Sequence, residues 1–352
     1  MAPLPVLLHR RSLHAHIAGG AACKARLEAA GVYIAAAASG LDDARPGAGG
    51  TAQRHRAYAA MAGGAARSGV RLGGEITQGL TQADLFEAAP PRAGGGGGGG
   101  APGVAPQLRR LDTAVRAAVL PLLDHAAAAS IHEAAAARLA RVLAEGSVWW
   151  QDPGLLHATL FHASTYGHPV AVGAAEVAAE AAAVARVAGG SCPIHAVLER
   201  VVATAGGVLV APGSGEPQEL RIALRAALPR APPPADQAVR EPAMLHTTLA
   251  RLLAPPRRPA ARGGGGGGGE EVPAGELAAE VQRAAEDLTY ELCGLTAVFD
   301  ELWFVEEHDL LALALGGRYS KRQSVLRCRG AGAPPGGGGG GGGGGLPLDP
   351  HG

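Results

Sequence analysis

Apolar residues in the middle of the chain recur at intervals of three or four positions. Between Gln107 and Glu145 this spacing is followed by Leu108, Leu111, Val115, Val119, Leu122, Leu123, Leu139 and Val142. Because one face of an α-helix returns about every 3.6 residues, the pattern predicts two helices, interrupted at Pro121 and ending at Gly146. We therefore expect residues 107–146 to form a helical segment that leads into the rest of the fold.

Beyond Gly146 the pattern alternates between strand-like and helix-like segments. The predicted order is strand 155–163, helix 174–187, apolar runs 194–204 and 208–211 joined at Gly206-Gly207, helix 217–228, strand 243–253, helix 276–292, apolar strand-like runs 296–306 and 310–315, and strand 324–328. A strand, a helix and a strand pair thus occur twice. This repetition predicts an α+β fold of two pseudo-symmetric lobes, about 147–228 and 243–330, around a central cleft.

Uninterrupted glycine tracts divide the chain. They cover residues 94–100, 263–269 and 336–345, and polyglycine recovers too little free energy by burial to offset its backbone entropy. We expect residues 1–106 to be low-complexity and largely disordered, 263–269 to be an insertion in the second lobe, and 331–352 to be a disordered tail.

Composition excludes some classes of protein. The formal net charge is +0, which argues against a dedicated electrostatic nucleic-acid binder. The four cysteines form no Cys-x-x-Cys pair, which argues against a disulfide framework or a zinc site. No apolar run reaches the roughly 20 residues that cross a bilayer, so we expect a soluble intracellular protein without a membrane association, cytoplasmic or nuclear. The basic, acid-poor first 27 residues leave a chloroplast or mitochondrial address open.

Two short strings share one pattern, His157-Ala158-Thr159-Leu160 and His246-Thr247-Thr248-Leu249. Side chains alternate between the faces of a strand, so each His and the Thr two residues later point the same way, and the leucines point to the core. If the two strands lie side by side, one surface carries two imidazoles and two hydroxyls. Such a pair can give and take protons near neutral pH without a metal or another cofactor.

Residues five positions after each His behave differently on a regular strand. Arg251 is a candidate phosphate ligand, but an odd spacing from His246 turns it away from the imidazole unless the strand ends or bulges first. His162 has the same odd spacing from His157, which argues against a metal cluster of His157, His162 and His168.

The paired strings, together with the order of elements around them, resemble the two-histidine (2H) phosphoesterase superfamily. The string His246-Thr247-Thr248-Leu249-Ala250-Arg251 is especially similar to the bacterial RNA 2′,3′-cyclic phosphodiesterases. The segments 156–164 and 299–306 look most like uncharacterised plant and algal proteins described as RNA ligase or cyclic phosphodiesterase-like. The resemblance covers about residues 147–328.

This resemblance implies a function and a set of site residues. His157 and His246 would be the catalytic pair, and Thr159 and Thr248 would hold phosphate oxygens, with Arg251 as a further substrate contact. The expected activity is metal-independent hydrolysis of a 2′,3′-cyclic phosphate at an RNA end or of a small cyclic nucleotide. Independently of the resemblance, we expect a monomer. Two alternatives stay open: a 2′-5′ RNA ligase-type activity, and a non-catalytic nucleotide- or RNA-binding protein with the same cleft.

Overall fold

The protein folds into antiparallel sheets with helices packed around them. The computed structural model describes residues 20–30, 48–88, 104–144, 146–215, 217–254 and 274–328. Every strand pair in this part of the chain is antiparallel, which makes the fold α+β. Among the described helices, none has the length and apolarity that a membrane crossing needs.

The elements follow one another in this order. The first part of the chain contains α1 (residues 20–29), α2 (Ala48–Ser68), α3 (Gln82–Leu85), β1 (Phe86–Ala88), β2 (Val104–Pro106), β3 (Arg110–Pro121) and α4 (His125–Leu139). The middle contains β4 (Val148–Trp150), β5 (His157–Ser164), α5 (Ala174–Ala188), β6 (Ile194–Leu198), β7 (Val202–Ala203), β8 (Val208–Ser214) and α6 (Gln218–Ala227). The last part contains β9 (Leu245–Leu252), α7 (Ala274–Leu292), β10 (Thr296–Phe299), β11 (Glu301–Asp309), α8 (Ala312–Leu315) and β12 (Tyr319–Val325).

Two main sheets carry the two repeated strings. Sheet A has the strand order β12-β11-β3-β5, and sheet B has the order β10-β6-β8-β9-β4, with β7 paired to β8. The first string lies on β5, at the edge of sheet A, and the second lies on β9 of sheet B. The strands β5 and β9 contact each other, so the two sheets meet along the two motif strands.

The predicted helical segment is correct in its second half and wrong in its first. Helix α4 begins after Asp124, whose side chain accepts a hydrogen bond from the backbone N–H of Ala127 at 2.9 Å. Residues Arg110–Pro121, however, form the strand β3 between β11 and β5. A central strand is buried on both faces and reads as a near-continuous apolar run, in which helical spacing occurs by accident.

The predicted division into two successive lobes is also wrong. Sheet A takes β3 from before the predicted lobes, β5 from the first of them, and β11 and β12 from the second. Sheet B combines β4, β6, β7 and β8 with β9 and β10 in the same way. The chain crosses between the sheets because strand pairing is decided by tertiary contacts and not by proximity in sequence. A smaller error concerns residues 310–315, where the structure has the helical turn α8 instead of a strand.

The N-terminal region contributes ordered structure, contrary to the expectation for residues 1–106. Tyr58 of α2 is fully buried (0% exposed), and its hydroxyl bonds to the carbonyls of Gly213 and Leu245 at 3.1 and 2.7 Å and accepts from the N–H of Leu245 at 3.0 Å. Arg54 forms a buried ion pair with Glu199 at 2.9 Å. Helix α2 is therefore attached to the start of the second motif strand.

All four cysteines are paired, although their spacing argued against a disulfide framework. Cys23 of α1 pairs with Cys293 after α7, and Cys192 pairs with Cys328, with Cα–Cα distances of 5.7 and 4.1 Å. Both pairs join residues far apart in sequence, so only the fold brings them together. The glycine tracts 94–100, 263–269 and 336–345, and the whole tail 331–352, lie outside the described residues.

The contact between Tyr58 and β9 yields a stability prediction. Substitution Tyr58→Phe removes the hydroxyl and leaves buried backbone groups of Leu245 without a partner, which costs about 1–3 kcal/mol. Urea denaturation would show this as a lower midpoint with an unchanged slope.

The matched control is Tyr166→Phe, since the Tyr166 hydroxyl is exposed and accepts a bond only from Arg109 among the described residues, at 3.0 Å. We expect this control to change stability by less than about 0.5 kcal/mol. Equal effects of the two substitutions would contradict the attachment of α2 described above.

Candidate functional site

The two motif strands present their His and Thr side chains on one face. His157 and Thr159 are half-buried and alternate with buried neighbours along β5, and His246 and Thr248 do the same along β9. The leucines before and within the strings are buried in the core. Each strand therefore presents one imidazole and one hydroxyl toward the junction of sheets A and B.

The two imidazoles are close enough to influence each other electrostatically. A positive charge on His157 lowers the pKa of His246, so protonation of one ring opposes protonation of the other. Combined acid and base catalysis requires one neutral and one protonated imidazole.

Both motif strands bulge at the same position of the string. On β5, Thr159 pairs with Val119 and Phe161 with Ala118, so Leu160 has no partner in the ladder between them. On β9, Thr248 pairs with Val210 and Ala250 with Leu209, which leaves Leu249 without a partner.

A β-bulge puts two residues opposite one and reverses the alternation beyond it. In both strings the residue five positions after the His consequently turns back to the face of that His. The prediction from regular strand geometry, that Arg251 and His162 face away from their histidines, therefore does not hold.

Arg251 and His162 therefore join the imidazoles, which a regular strand would not allow. The Arg251 guanidinium lowers the pKa of His157, and a charge on His157 lowers the pKa of His162. The sequence predicted that Arg251 faces His246 only if β9 ends or bulges before it, and β9 does bulge at Leu249. The prediction that His162 faces away from His157 is wrong, because β5 bulges at Leu160.

The carbonyl at each bulge accepts a hydrogen bond from a residue outside the bulged strand pair, which for Leu249 is the residue directly after β4. The Leu249 carbonyl accepts the N–H of Gln151 at 2.9 Å, and the Leu160 carbonyl accepts Nε of Arg221 at 3.0 Å. Unpaired backbone groups in a buried bulge are costly, so these donors stabilise the local kink.

Arg221 of α6 links the two motif strands. Beyond its bond to Leu160, its guanidinium donates to the Thr159 carbonyl at 3.4 Å and to the carbonyls of Glu241 and Pro242, just ahead of β9. Burial lowers the pKa of Arg221 to about 10, which leaves it charged at neutral pH. Nothing in the sequence distinguished this arginine, because its partners are backbone atoms from two distant segments.

The ring of His157 has a defined tautomer. Its Nδ1 lies 2.7 Å from the Leu155 carbonyl, and a carbonyl can only accept, so Nδ1 carries the proton. The other nitrogen, Nε2, is then unprotonated in the neutral ring and available as an acceptor. Burial lowers the pKa of His157, the bond to Leu155 opposes this effect, and Arg251 adds to it.

The other two rings of the site are also held in the neutral form. Burial lowers the pKa of His246 to about 4, with further contributions from the positive charges of Arg221 and His157. Burial and His157 lower the pKa of His162 to about 4. Burial and nearby positive charge therefore disfavour protonation of these rings, and a negatively charged ligand would favour it.

Arg251 is a buried cation without a close partner in the described part of the chain. It is 6% exposed, and its Nε and Nη1 atoms are buried and make no hydrogen bond there. Burial lowers its pKa to about 10, and Glu307 is the acidic group that opposes this effect. Burial raises the pKa of Glu307 itself to about 7, so this carboxyl only partly neutralises the guanidinium. Buried charges are normally paired, so the position calls for an anion.

An apolar pocket lies behind the second motif strand. It touches His246 but is lined mostly by side chains of the core face, such as Leu156, Leu245, Leu249 and Phe299. Since these leucines point away from the imidazoles, the pocket is separate from the face that carries the candidate residues. Within the described residues, no three His, Cys, Asp or Glu side chains are grouped closely enough to hold a metal ion.

Comparisons with known proteins add little to this geometry. No protein-family profile matches the chain, and no curated protein matches it in sequence. Among solved structures, it is similar to the crystal structure of TT0787 of Thermus thermophilus, with 18% sequence identity and a TM-score of 0.39; the alignment covers 61% of this chain and 99% of that chain. A likeness of this size carries no conclusion about function. Any functional proposal has to be argued from the site itself.

The depressed histidine pKa values predict a loss of stability in acid. Between about pH 6.5 and 4 the unfolded chain binds protons that the folded His246 and His162 do not, so these groups lower the free energy of unfolding as the pH falls. Glu307, with its raised pKa, acts in the opposite direction between about pH 7 and 4.5. We expect His246→Gln to lose less stability than the wild type between pH 7 and 4.

Urea denaturation at several pH values measures this difference. His168→Gln serves as the matched control, because His168 is exposed and lies 3.5 Å from Asp236. If His246→Gln and the wild type follow parallel curves over this pH range, His246 is not held neutral by the fold.

Proposed function

We propose that the protein is a metal-independent cyclic phosphodiesterase of the two-histidine phosphoesterase type, acting on a 2′,3′-cyclic phosphate of an RNA end or a small nucleotide. The observation that supports this most is the convergence of two electrostatically coupled imidazoles, one from each sheet, beside a buried arginine that lacks a close partner. The shared bulge after each Thr, with its captured carbonyl, supports a pseudo-symmetric pair of motif strands.

The hydrolysis needs one proton removed and one supplied. A water oxygen attacks phosphorus while a neutral imidazole takes its proton, and the bond from phosphorus to one ribose oxygen breaks. A protonated imidazole delivers its proton to that departing oxygen, which becomes a hydroxyl, and the product is a phosphomonoester. Each such transfer typically accelerates a reaction by about 10²- to 10⁴-fold.

The tautomer of His157 favours the role of base for this residue. Its Nδ1–H is engaged by the Leu155 carbonyl, which leaves Nε2 free to accept a proton from water. His246 would then be the acid. Burial lowers its pKa, and the negative charge of a bound phosphodiester would raise it, since opposite charge nearby favours the protonated form.

The remaining side chains would stabilise the charge on phosphorus oxygens. Thr159 and Thr248 share the face of the imidazoles, where their hydroxyls can donate to non-bridging oxygens. Arg251 would supply a full positive charge from a buried position, where an ion pair is screened less than at the surface. A phosphodiester is thus the kind of anion that this set of donors fits.

Substitution of either histidine tests the catalytic pair. With 2′,3′-cyclic AMP as substrate, His157→Ala and His246→Ala are each expected to lower kcat by about 10²-fold or more, because each removes a proton-transfer group. His195→Ala is the matched control, since His195 is an exposed residue of β6; its kcat should equal that of the wild type.

Two results would contradict this proposal. One is an activity abolished by EDTA, which would overturn the metal-independent mechanism. The other is an absence of turnover with cyclic nucleotides and cyclic-phosphate RNA, together with tight binding that neither alanine substitution changes. The second result would identify a non-catalytic nucleotide- or RNA-binding protein.

Arg251 offers a separate test that distinguishes ligand binding from structural support. Arg251→Met keeps the length of the side chain and removes a buried cation, so we expect unchanged or increased stability. Loss of a charge-assisted hydrogen bond should raise the Kd for inorganic phosphate about tenfold or more, as measured by calorimetry.

The control is Arg186→Met, on the exposed surface of α5, which should change neither quantity. Should Arg251→Met unfold the protein while an Arg251→Lys variant restores full stability without phosphate, the arginine is a structural residue and the proposed contact is wrong.

A further inference from the structure

His162 occupies in β5 the position that Arg251 occupies in β9. Each lies five residues after the histidine of its string, and in each strand the leucine between them is the residue omitted from the ladder. The two bulges thus generate a second equivalent pair of inward-facing polar side chains. One member of this pair, Arg251, already has the character of an anion ligand.

Three side chains from residues 221–237 hold the part of β5 around His162. Arg221 binds the Leu160 carbonyl at 3.0 Å, the Arg225 guanidinium stacks 4.5 Å from the centre of the Phe161 ring, and the Gln237 side chain bonds to both backbone groups of His162, accepting at 2.8 Å and donating at 3.0 Å. Because β5 is the edge of sheet A, the Gln237 amide takes the place of a neighbouring strand. These contacts hold the backbone that carries the His162 ring.

One nitrogen of the His162 ring has no hydrogen-bond partner among the described residues. His162 is 9% exposed, and its Nδ1 is buried and makes no hydrogen bond within the described residues. A buried, unsatisfied polar atom costs free energy. A side chain positioned so firmly by its backbone, with its ring nitrogen unsatisfied beside His157, is typical of a preorganised ligand contact.

We propose that His162 is a further substrate-contacting residue, whose ring donates a hydrogen bond to an oxygen of the bound phosphate group, opposite Arg251 in the same site. The inference rests on the proposed function for the identity of the ligand as a phosphate ester. It assigns this chain a third histidine that neither gives nor takes the transferred proton but helps to hold the reacting group.

A graded set of substitutions tests the contact. His162→Phe keeps the ring shape and removes both nitrogens, and we expect it to raise the Kd for inorganic phosphate about tenfold, as loss of a hydrogen bond to a charged ligand does. His162→Asn places an amide close to the position of Nδ1 and should recover most of the affinity. His162→Gln, whose amide reaches toward Nε2, should recover less. Calorimetric titration of the full chain measures all three.

A matched control and a readout of folding separate binding from structure. His168→Phe makes the same chemical change at an exposed histidine that faces Asp236, and its Kd should stay within twofold of the wild type. Circular dichroism and urea denaturation establish that each variant is folded. A folded His162→Phe protein with wild-type phosphate affinity would overturn the proposal, and so would equal losses for the Phe and Asn variants.

Failure of this inference is distinguishable from failure of the proposed function. Normal turnover of 2′,3′-cyclic AMP with unchanged phosphate binding and unchanged KM in His162→Phe would refute the contact and leave the activity standing. Loss of phosphate affinity in His162→Phe, in a protein that turns over no cyclic phosphodiester, would support the contact and refute the activity.

Discussion

The candidate site depends on a β-bulge at the same leucine of two repeated tetrapeptides. On a flat, regular strand the residue five positions beyond each histidine would point into the core, where a charged or polar side chain is costly. Omission of Leu160 and Leu249 from their ladders turns His162 and Arg251 to the face of the imidazoles. A face with two imidazoles and two hydroxyls thereby gains a cation and a third imidazole.

The bulges are stable because segments remote in sequence hold them. Arg221 binds carbonyls of β5 and of the chain just before β9, so one side chain sets the relative position of the two motif strands. Tyr58, from a helix that precedes the sheets by many residues, holds Leu245 at the start of β9. The segment before the repeated strings is therefore a structural part of the site.

The electrostatics of the site favour an anionic ligand. Three imidazoles with lowered pKa values, and an arginine with no close partner among the described residues, raise the free energy of the folded protein. A phosphate group would relieve this cost by pairing with the guanidinium and by allowing a ring to be protonated. The proposed function and the stability of the folded protein are in this sense opposed at the same residues.

Local patterns in the sequence determined those features that depend on neighbouring residues. The period of two around His157 and His246 correctly placed each His and Thr on one face of a strand, and the helical spacing in residues 174–187, 217–228 and 276–292 matches α5, α6 and α7. In residues 110–121 the spacing was misleading, because a strand buried on both faces has no polar side to mark its period.

Only the tertiary structure decided how these elements combine. The interleaving of the chain between sheets A and B, the pairing of cysteines far apart in sequence, and the clamps by Arg221 and Tyr58 all join distant segments. The bulges that turn Arg251 and His162 toward the imidazoles also depend on contacts with distant segments. The equal spacing of these two residues from their histidines, in contrast, is visible in the sequence. Register is set by the partner strand, and the partner of each motif strand cannot be read from the motif itself.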